Sequence, residues 1–384
     1  MHLTRFLASV ALATIATLAL GAAPERHGVV RTYYIAADEF DWDYLPSGLD
    51  QMMGMKPSGY AKSYTQTGPH ALGHVFRKAA YREYTDATFA HLKPRAASAR
   101  YQGLLGPTIR AEVGDTIKIV FRNNGSHPYS MHPHGVWYEK ASEGSAYDDG
   151  SDASAKRGGA VPPGKTHNYT WEVLERSGPG PNDPSSIVWL YHSHADERRD
   201  VNSGLIGTIV VTRQGMARAD GTPSDVDREI SALFMMYDEN QSWFLDRNLK
   251  QAIPNPKKRN KLDAAPVDEH GNLDILLGTG IGPSNLRWTV NGYQYANMPV
   301  PTMKKGDRVR WYVVTLGEGF NFHTPHWHGN TVLVNGQRTD VVSIAPAQMV
   351  TADMLADDPG TWLFHCHVSD HMEGGMVARY RVSP

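Results

Sequence analysis

Residues 362–376 read Trp-Leu-Phe-His-Cys-His-Val-Ser-Asp-His-Met-Glu-Gly-Gly-Met, and they hold the only cysteine of the 384-residue chain. Cys366 is flanked by His365 and His367. His371 follows it by five residues, and Met376 comes five later. A thiolate, two imidazoles and a weak axial thioether describe a blue-copper electron-transfer site. His371 supplies one imidazole, and His323, on a separate loop, is the natural second. Taken singly, Cys366 reads as a buried free cysteine and Met376 as a core methionine. A zinc site of one Cys and two His needs neither the methionine nor the flanking histidines.

Working outward, the segment has an echo. Trp189–His194 (WLYHSH) answers Trp362–His367 (WLFHCH), and His132-Pro133-His134-Gly135 answers His326-Trp327-His328-Gly329. Gly114-Asp115 opens TIKIVF, as Gly306-Asp307 opens VRWYVV. Elements recurring in one order mark a duplicated domain. Ser193 stands where Cys366 stands, with no His-Met tail after it, so the first copy is expected to bind no type 1 copper. On a strand, His-x-His sends both imidazoles to one face. Ten of the 18 histidines fall in these clusters, a pattern that points to metal rather than to packing.

Between the clusters run short β-rich segments separated by Gly/Pro turns. They are 116–121, 167–173, 187–192 and 205–211 in the first half. In the second they are 286–290, 309–314, 331–334, 349–354, 362–365 and 376–382. This predicts an all-β protein of two sandwich domains. The expected division is a secretory signal over 1–23, a first domain over 24–215, a linker over 216–228 and a second domain over 229–384. The signal reading rests on Arg5, the apolar run Phe6–Leu20 and the small residues Gly21-Ala22-Ala23. The protein is expected to be exported, periplasmic or extracellular, with no membrane partner. A net charge of −2 gives no reason to expect nucleic acid. Residues 36–100 fit no repeat, and Lys257–Asp263 reads as a solvated loop.

The motifs HPHG, HSH, HTPHWHG and HCHVSDHMEGGM resemble the four copper-binding segments of the multicopper oxidases. The wider text YYIAADEFDWDY, GLLGPTIRAEVGDTIKIVF and HSHADERRDVNSGLIG is similar to the ceruloplasmin-like branch, while the two-domain length is similar to the small laccases. The resemblance implies two Greek-key cupredoxin-like β-sandwiches holding four coppers per chain. Type 1 would take His323, Cys366, His371 and Met376. Type 2 would take His132 and His326. The type 3 pair would take His134, His192, His194, His328, His365 and His367. It also implies dioxygen as acceptor and a homotrimer whose three-copper clusters lie between subunits. The other arrangement is a monomer closed on its own cluster.

By the same resemblance, Tyr138 is expected to supply an electron and Glu143 to relay protons. Asp196, Glu197 and Asp200 read as a charge network with Arg198 and Arg199. Asp370 lies beside the electron-accepting centre, where a carboxylate suits either phenols or a metal ion. Pro283 and Trp288 stand where iron-binding relatives carry an acid and a histidine. The reductant is therefore expected to be phenolic or similar, with Fe(II) or Cu(I) the alternative. A nitrite reductase would need only one type 1 copper and one isolated type 2 copper, and an electron carrier only the type 1 set. Met52, Met53 and Met55 could bind Cu(I), but packing is the expected role.

Overall fold

The computed structural model describes residues 28–68, 71–255, 282–318 and 321–384. The expected signal segment and the 257–263 loop lie outside them. The chain builds two β-sandwiches of one topology. In the first, the larger sheet runs Val75–Tyr84, Val30–Asp43, Thr116–Asn123, Thr166–Glu172, Trp137–Tyr138. The smaller runs Ile109–Glu112, Ile206–Thr212, Ser186–His192, His132–Pro133. The second repeats both orders. Leu286–Val290, Arg228–Asp238, Arg308–Val314, Met349–Leu355, Val332–Val334 and Gln337–Thr339 form the larger sheet. Thr302–Lys304, Val377–Ser383, Gly360–Cys366 and Pro325–Trp327 form the smaller. The fold is the expected all-β pair of cupredoxin-like sandwiches.

The duplication reaches further than the sequence motifs. Val30–Asp43 pairs in parallel with Thr116–Asn123 and antiparallel with Val75–Tyr84. Arg228–Asp238 pairs in parallel with Arg308–Val314 and antiparallel with Leu286–Val290. Part of the unreadable stretch 36–100 is thus the counterpart of the second sandwich's opening strands.

Among the described residues, buried side chains gather into three apolar cores. Each sandwich has its own, and the third lies between them. The strand Arg228–Asp238 serves two of these at once. Ile230, Ala232, Phe234 and Met236 face the second sandwich's core, while Leu233, Met235 and Tyr237 face the shared one. Side chains alternate across a strand, so a strand with both faces covered is apolar throughout. In the first sandwich, Trp189 and Tyr191 face inward while Val188 and Leu190 join the shared core.

Charge is buried at the same junction. Lys78 and Glu239, from opposite halves and both fully buried, meet at 2.5 Å. The Tyr44 hydroxyl also donates to Glu239, at 2.5 Å, and Lys78 donates to the Asn202 carbonyl at 2.6 Å. A buried ion survives only when paired and hydrogen-bonded in this way. In the stretch expected to link the domains, the Arg218 guanidinium caps the carbonyls of Ser224 and Val226.

Candidate metal centres

In the second sandwich, His365 and Cys366 end the strand Gly360–Cys366. His371 lies in the short helix Ser369–Glu373, and His323 precedes the strand Pro325–Trp327. These elements bring three donors to one point. His323 Nδ1 lies 3.1 Å from His371 Nδ1, and Cys366 Sγ lies 3.6 Å from His371 Nδ1 and 4.0 Å from His323 Nδ1. His323 and Cys366 are fully buried and His371 nearly so. Burial lowers the His323 imidazole to about 3 and that of His371 to about 4, so both are neutral and able to ligate a metal ion. Burial raises the Cys366 thiol, against the Thr324 N–H that donates to its sulfur at 3.3 Å. Met376 is fully buried, its N–H bonded to the His371 carbonyl and its carbonyl to the Cys366 N–H.

Two imidazole clusters stand apart from this site. In the first sandwich, His134 Nε2 lies 3.2 Å from His192 Nε2, and the His132 ring is 5.5 Å from His192 and 5.3 Å from His194. In the second, His328 Nε2 lies 3.0 Å from His365 Nε2, and the His326 ring is 4.6 Å from His328 and 5.3 Å from His367. Among the described residues, the ring contacts of these eight histidines with one another stay within their own half.

The donor chemistry fits a cation. His132 Nδ1 donates to the Glu143 carbonyl at 2.7 Å, His192 Nδ1 to the Ser193 carbonyl at 3.1 Å, and His365 Nδ1 to the Cys366 carbonyl at 2.8 Å. A neutral imidazole donating through Nδ1 keeps its lone pair on Nε2. Burial holds His192 near 3 and His134 near 4. His192 and His365 therefore turn Nε2 lone pairs towards the Nε2 atoms of His134 and His328, which lie close enough to share a cation with them. His326 Nδ1 is buried and has no hydrogen-bond partner among the described residues.

The remaining expected residues spread around these clusters. The Tyr138 ring stands 6.0 Å from His132. Glu143 is nearly buried, its carboxylate bonded to Lys140 and to the Tyr147 hydroxyl. Asp370 is exposed beside His371. Trp288 stacks on His371, rings 4.0 Å apart and 21° from parallel.

The expected charge network after the second histidine pair is largely something else. Asp196 caps the helix Glu197–Ser203 by accepting from the Arg199 N–H, and pairs with Arg199 at 3.7 Å. Glu197 instead approaches His194 Nε2 at 3.3 Å. Asp200 is buried and accepts from Ser193 Oγ at 2.6 Å and Trp243 Nε1 at 2.8 Å. Arg198 pairs with Glu318 of the other sandwich at 2.5 Å. Sequence reasoning also missed Asp340, 3.6 Å from His326 Nε2. It lies 14 residues away, and only the pairing of its turn with Trp327 brings it there. The Met52–Met55 cluster is not packing, for Met53 is 63% and Met55 51% exposed.

Comparison with known proteins agrees with this geometry. Residues 83–215 and 272–384 each match a family described as "Multicopper oxidase". The chain is 40% identical over 357 residues, 92% of its length, to human "Ferroxidase HEPHL1". It is 36% identical over 93% of its length to human "Hephaestin" and 34% identical over 92% to human "Ceruloplasmin". It spans only 29%, 29% and 30% of those proteins. Among solved structures, a chain titled "Crystal structure of multicopper oxidase" superimposes with TM-score 0.56 at 20% identity, covering 92% of this chain and 89% of that one. "Copper nitrite reductase from Nitrosomonas europaea" does so with TM-score 0.54 at 17% identity, covering 92% and 94%. Those two likenesses concern the fold alone. Family match and relatives together place the sequence: the chain belongs to the multicopper oxidases.

Proposed function

We propose that this chain is a metallo-oxidase that takes electrons singly from a reduced metal ion, Fe(II) or Cu(I), and delivers them to dioxygen, forming water. The observation that carries the reading is the convergence of His323, Cys366 and His371, with His365 and His367 flanking the thiol, in a chain 40% identical to a protein named a ferroxidase. We assign type 1 copper, which would be held by His323, Cys366, His371 and Met376, and type 2, which would be held by His132 and His326. The type 3 pair takes His134, His192, His194, His328, His365 and His367, giving four coppers per chain. Copper so held supplies one-electron chemistry and, as a set of four, the four electrons that dioxygen accepts.

The protein's own part is to hold and connect. Cys366 is covalently continuous with His365 and His367, so an electron accepted at the thiolate has a short bonded path to the cluster imidazoles. Nδ1 bonds fix the tautomers of His132, His192 and His365. Tyr138 is near enough to His132 to lend an electron. Glu143, held by Lys140 and Tyr147, relays protons to leaving water. Asp370 offers a carboxylate to an approaching cation beside His371.

The separation of the two imidazole clusters supports completion of each cluster between copies. Three chains closing head to tail, as a homotrimer, satisfy all of them. The 1–23 text supports export to the periplasm or the extracellular space. No helix among the described residues is long and apolar enough to cross a membrane. Trp288 over His371 favours a second reading, in which a phenolic reductant replaces the metal ion.

Oxygen uptake by the copper-loaded chain, with Fe(II), Cu(I) and a phenol side by side, tests the function. Metal-driven uptake that drops in Asp370→Asn is expected, and uptake with phenol alone overturns the metallo-oxidase reading. A monomer carrying four coppers overturns the trimer.

A further inference from the structure

Trp288 is 6% exposed, yet it does more than fill space beside His371. Its other neighbour is Tyr64, which shares its core cluster. The indole lies close enough to the Tyr64 hydroxyl to favour the ionised phenol, although burial is the larger influence and raises it. The Tyr64 hydroxyl donates to that of Tyr60 at 2.7 Å, and the two rings meet edge to face, 5.2 Å apart. Tyr60 is 54% exposed. A line of aromatic side chains, Tyr60 on Tyr64 and Trp288 on His371 with Tyr64 and Trp288 in one core cluster, thus leads from solvent to His371.

The line is held in place. Arg287, fully buried and adjacent to Trp288, donates to the Tyr64 carbonyl and, at 2.7 Å, to the Gly73 carbonyl. This pins the helix Ala61–Thr65 onto the second sandwich. Gly374 yields room for the indole: a Cβ there would lie 2.2 Å from Trp288 Cδ1. Tyr295 donates through its hydroxyl to the Glu373 carbonyl at 3.1 Å and accepts at its carbonyl from the Gln51 N–H at 3.0 Å, which ties the Gln51 backbone to the helix bearing His371.

We propose that Tyr60, Tyr64 and Trp288 form an electron conduit to His371, with the exposed ring of Tyr60 as the port for an outer-sphere aromatic donor. One electron leaves the donor and ends on the metal held by His323, Cys366 and His371. No bond forms or breaks. The indole covers His371, so such a donor needs no contact with the ligand itself. The conduit rests on the copper assignment above and adds a second class of reductant to it.

The test is anaerobic rapid mixing of the copper-loaded full chain with hydroquinone, following loss of the blue absorption, alongside the midpoint potential of each variant. Tyr60→Leu changes a surface residue and should leave the potential unaltered while slowing bleaching at least about tenfold. Tyr64→Leu and Trp288→Leu should slow it as much, whereas Tyr64→Phe, which keeps the ring, stays within about twofold. Wild-type rates in both Tyr60→Leu and Tyr64→Leu overturn the conduit. So does a larger loss in Phe322→Ala, because Phe322, 53% exposed beside His323, marks the alternative approach. A wild-type protein with no blue band sinks the copper assignment itself, and the conduit with it.

Discussion

Ser193 and Cys366 occupy one place in two copies of one fold, and their surroundings agree almost atom for atom. The Ser130 N–H donates to Ser193 Oγ at 2.9 Å, as the Thr324 N–H donates to Cys366 Sγ at 3.3 Å. The His194 N–H reaches Ser130 Oγ at 2.9 Å, and that of His367 reaches Thr324 Oγ1 at 3.1 Å. Then the copies part. Behind Cys366 stand two imidazoles, while behind Ser193 stands the buried carboxylate of Asp200, held by Trp243 and the Asp196 N–H. The scaffold that presents imidazoles to a cluster is thus separable from the pocket behind it. One pocket collects metal donors, and the other is closed by a hydrogen-bonded plug.

The comparison breaks most visibly at the sulfur. Cys366→Ser gives the second half the first half's residue, and should abolish the blue band and cut oxygen uptake by at least about a hundredfold. Absorption spectra and uptake assays check this, with circular dichroism to show the fold retained. Next come the glycines after each His-x-His pair. Gly135 and Gly329 have φ of +75° and +73°, and a Cβ would lie 2.1 Å from Trp189 and 2.4 Å from Trp362. Alanine at either position should cost about 3 kcal/mol, and by similar amounts if the copies are truly equivalent, as read by denaturant unfolding.

A smaller loss, about 1–2 kcal/mol, is expected for Ser193→Ala, which removes the donor to Asp200. Ser193→Cys should add no blue centre, since no imidazole pair stands behind it. Copper analysis and thermal melting report both.

The smallest effect concerns pH. Burial raises the Asp200 carboxyl from 3.8 to about 6. A carboxyl raised on folding binds more protons in the native state, so its contribution to stability grows as pH falls through 6 towards 4. The destabilisation caused by Asp200→Asn should therefore be about 1 kcal/mol greater at pH 5 than at pH 7 in paired unfolding curves.

Much of this was legible in advance. The ten expected strands all form, within a residue or two, because most cover one face or end at a motif. Val30–Asp43 and Arg228–Asp238 escaped notice for a physical reason. Both stand between two cores, so their hydropathy loses the period of two. Spacing marked the histidine pairs, because side chains on one face of a strand repeat every second residue, and Cys366 stood out as the single thiol between two of them. It could not mark Asp340 or Glu197, which reach their histidines through a turn and a helix start. Nor could it show that Trp288 lies against His371, since 83 residues separate them and only the packing of a helix on a strand brings them together.

The shut-in pair Lys78–Glu239 sets a condition on heredity as well as on folding. Either sandwich released from the other would expose a broad apolar face and leave one partner of this pair in search of its counter-ion. The two copies, however alike in outline, have lost the freedom to be cut apart and traded as independent modules. Any recombination that swaps one half must carry a matching charge across the join.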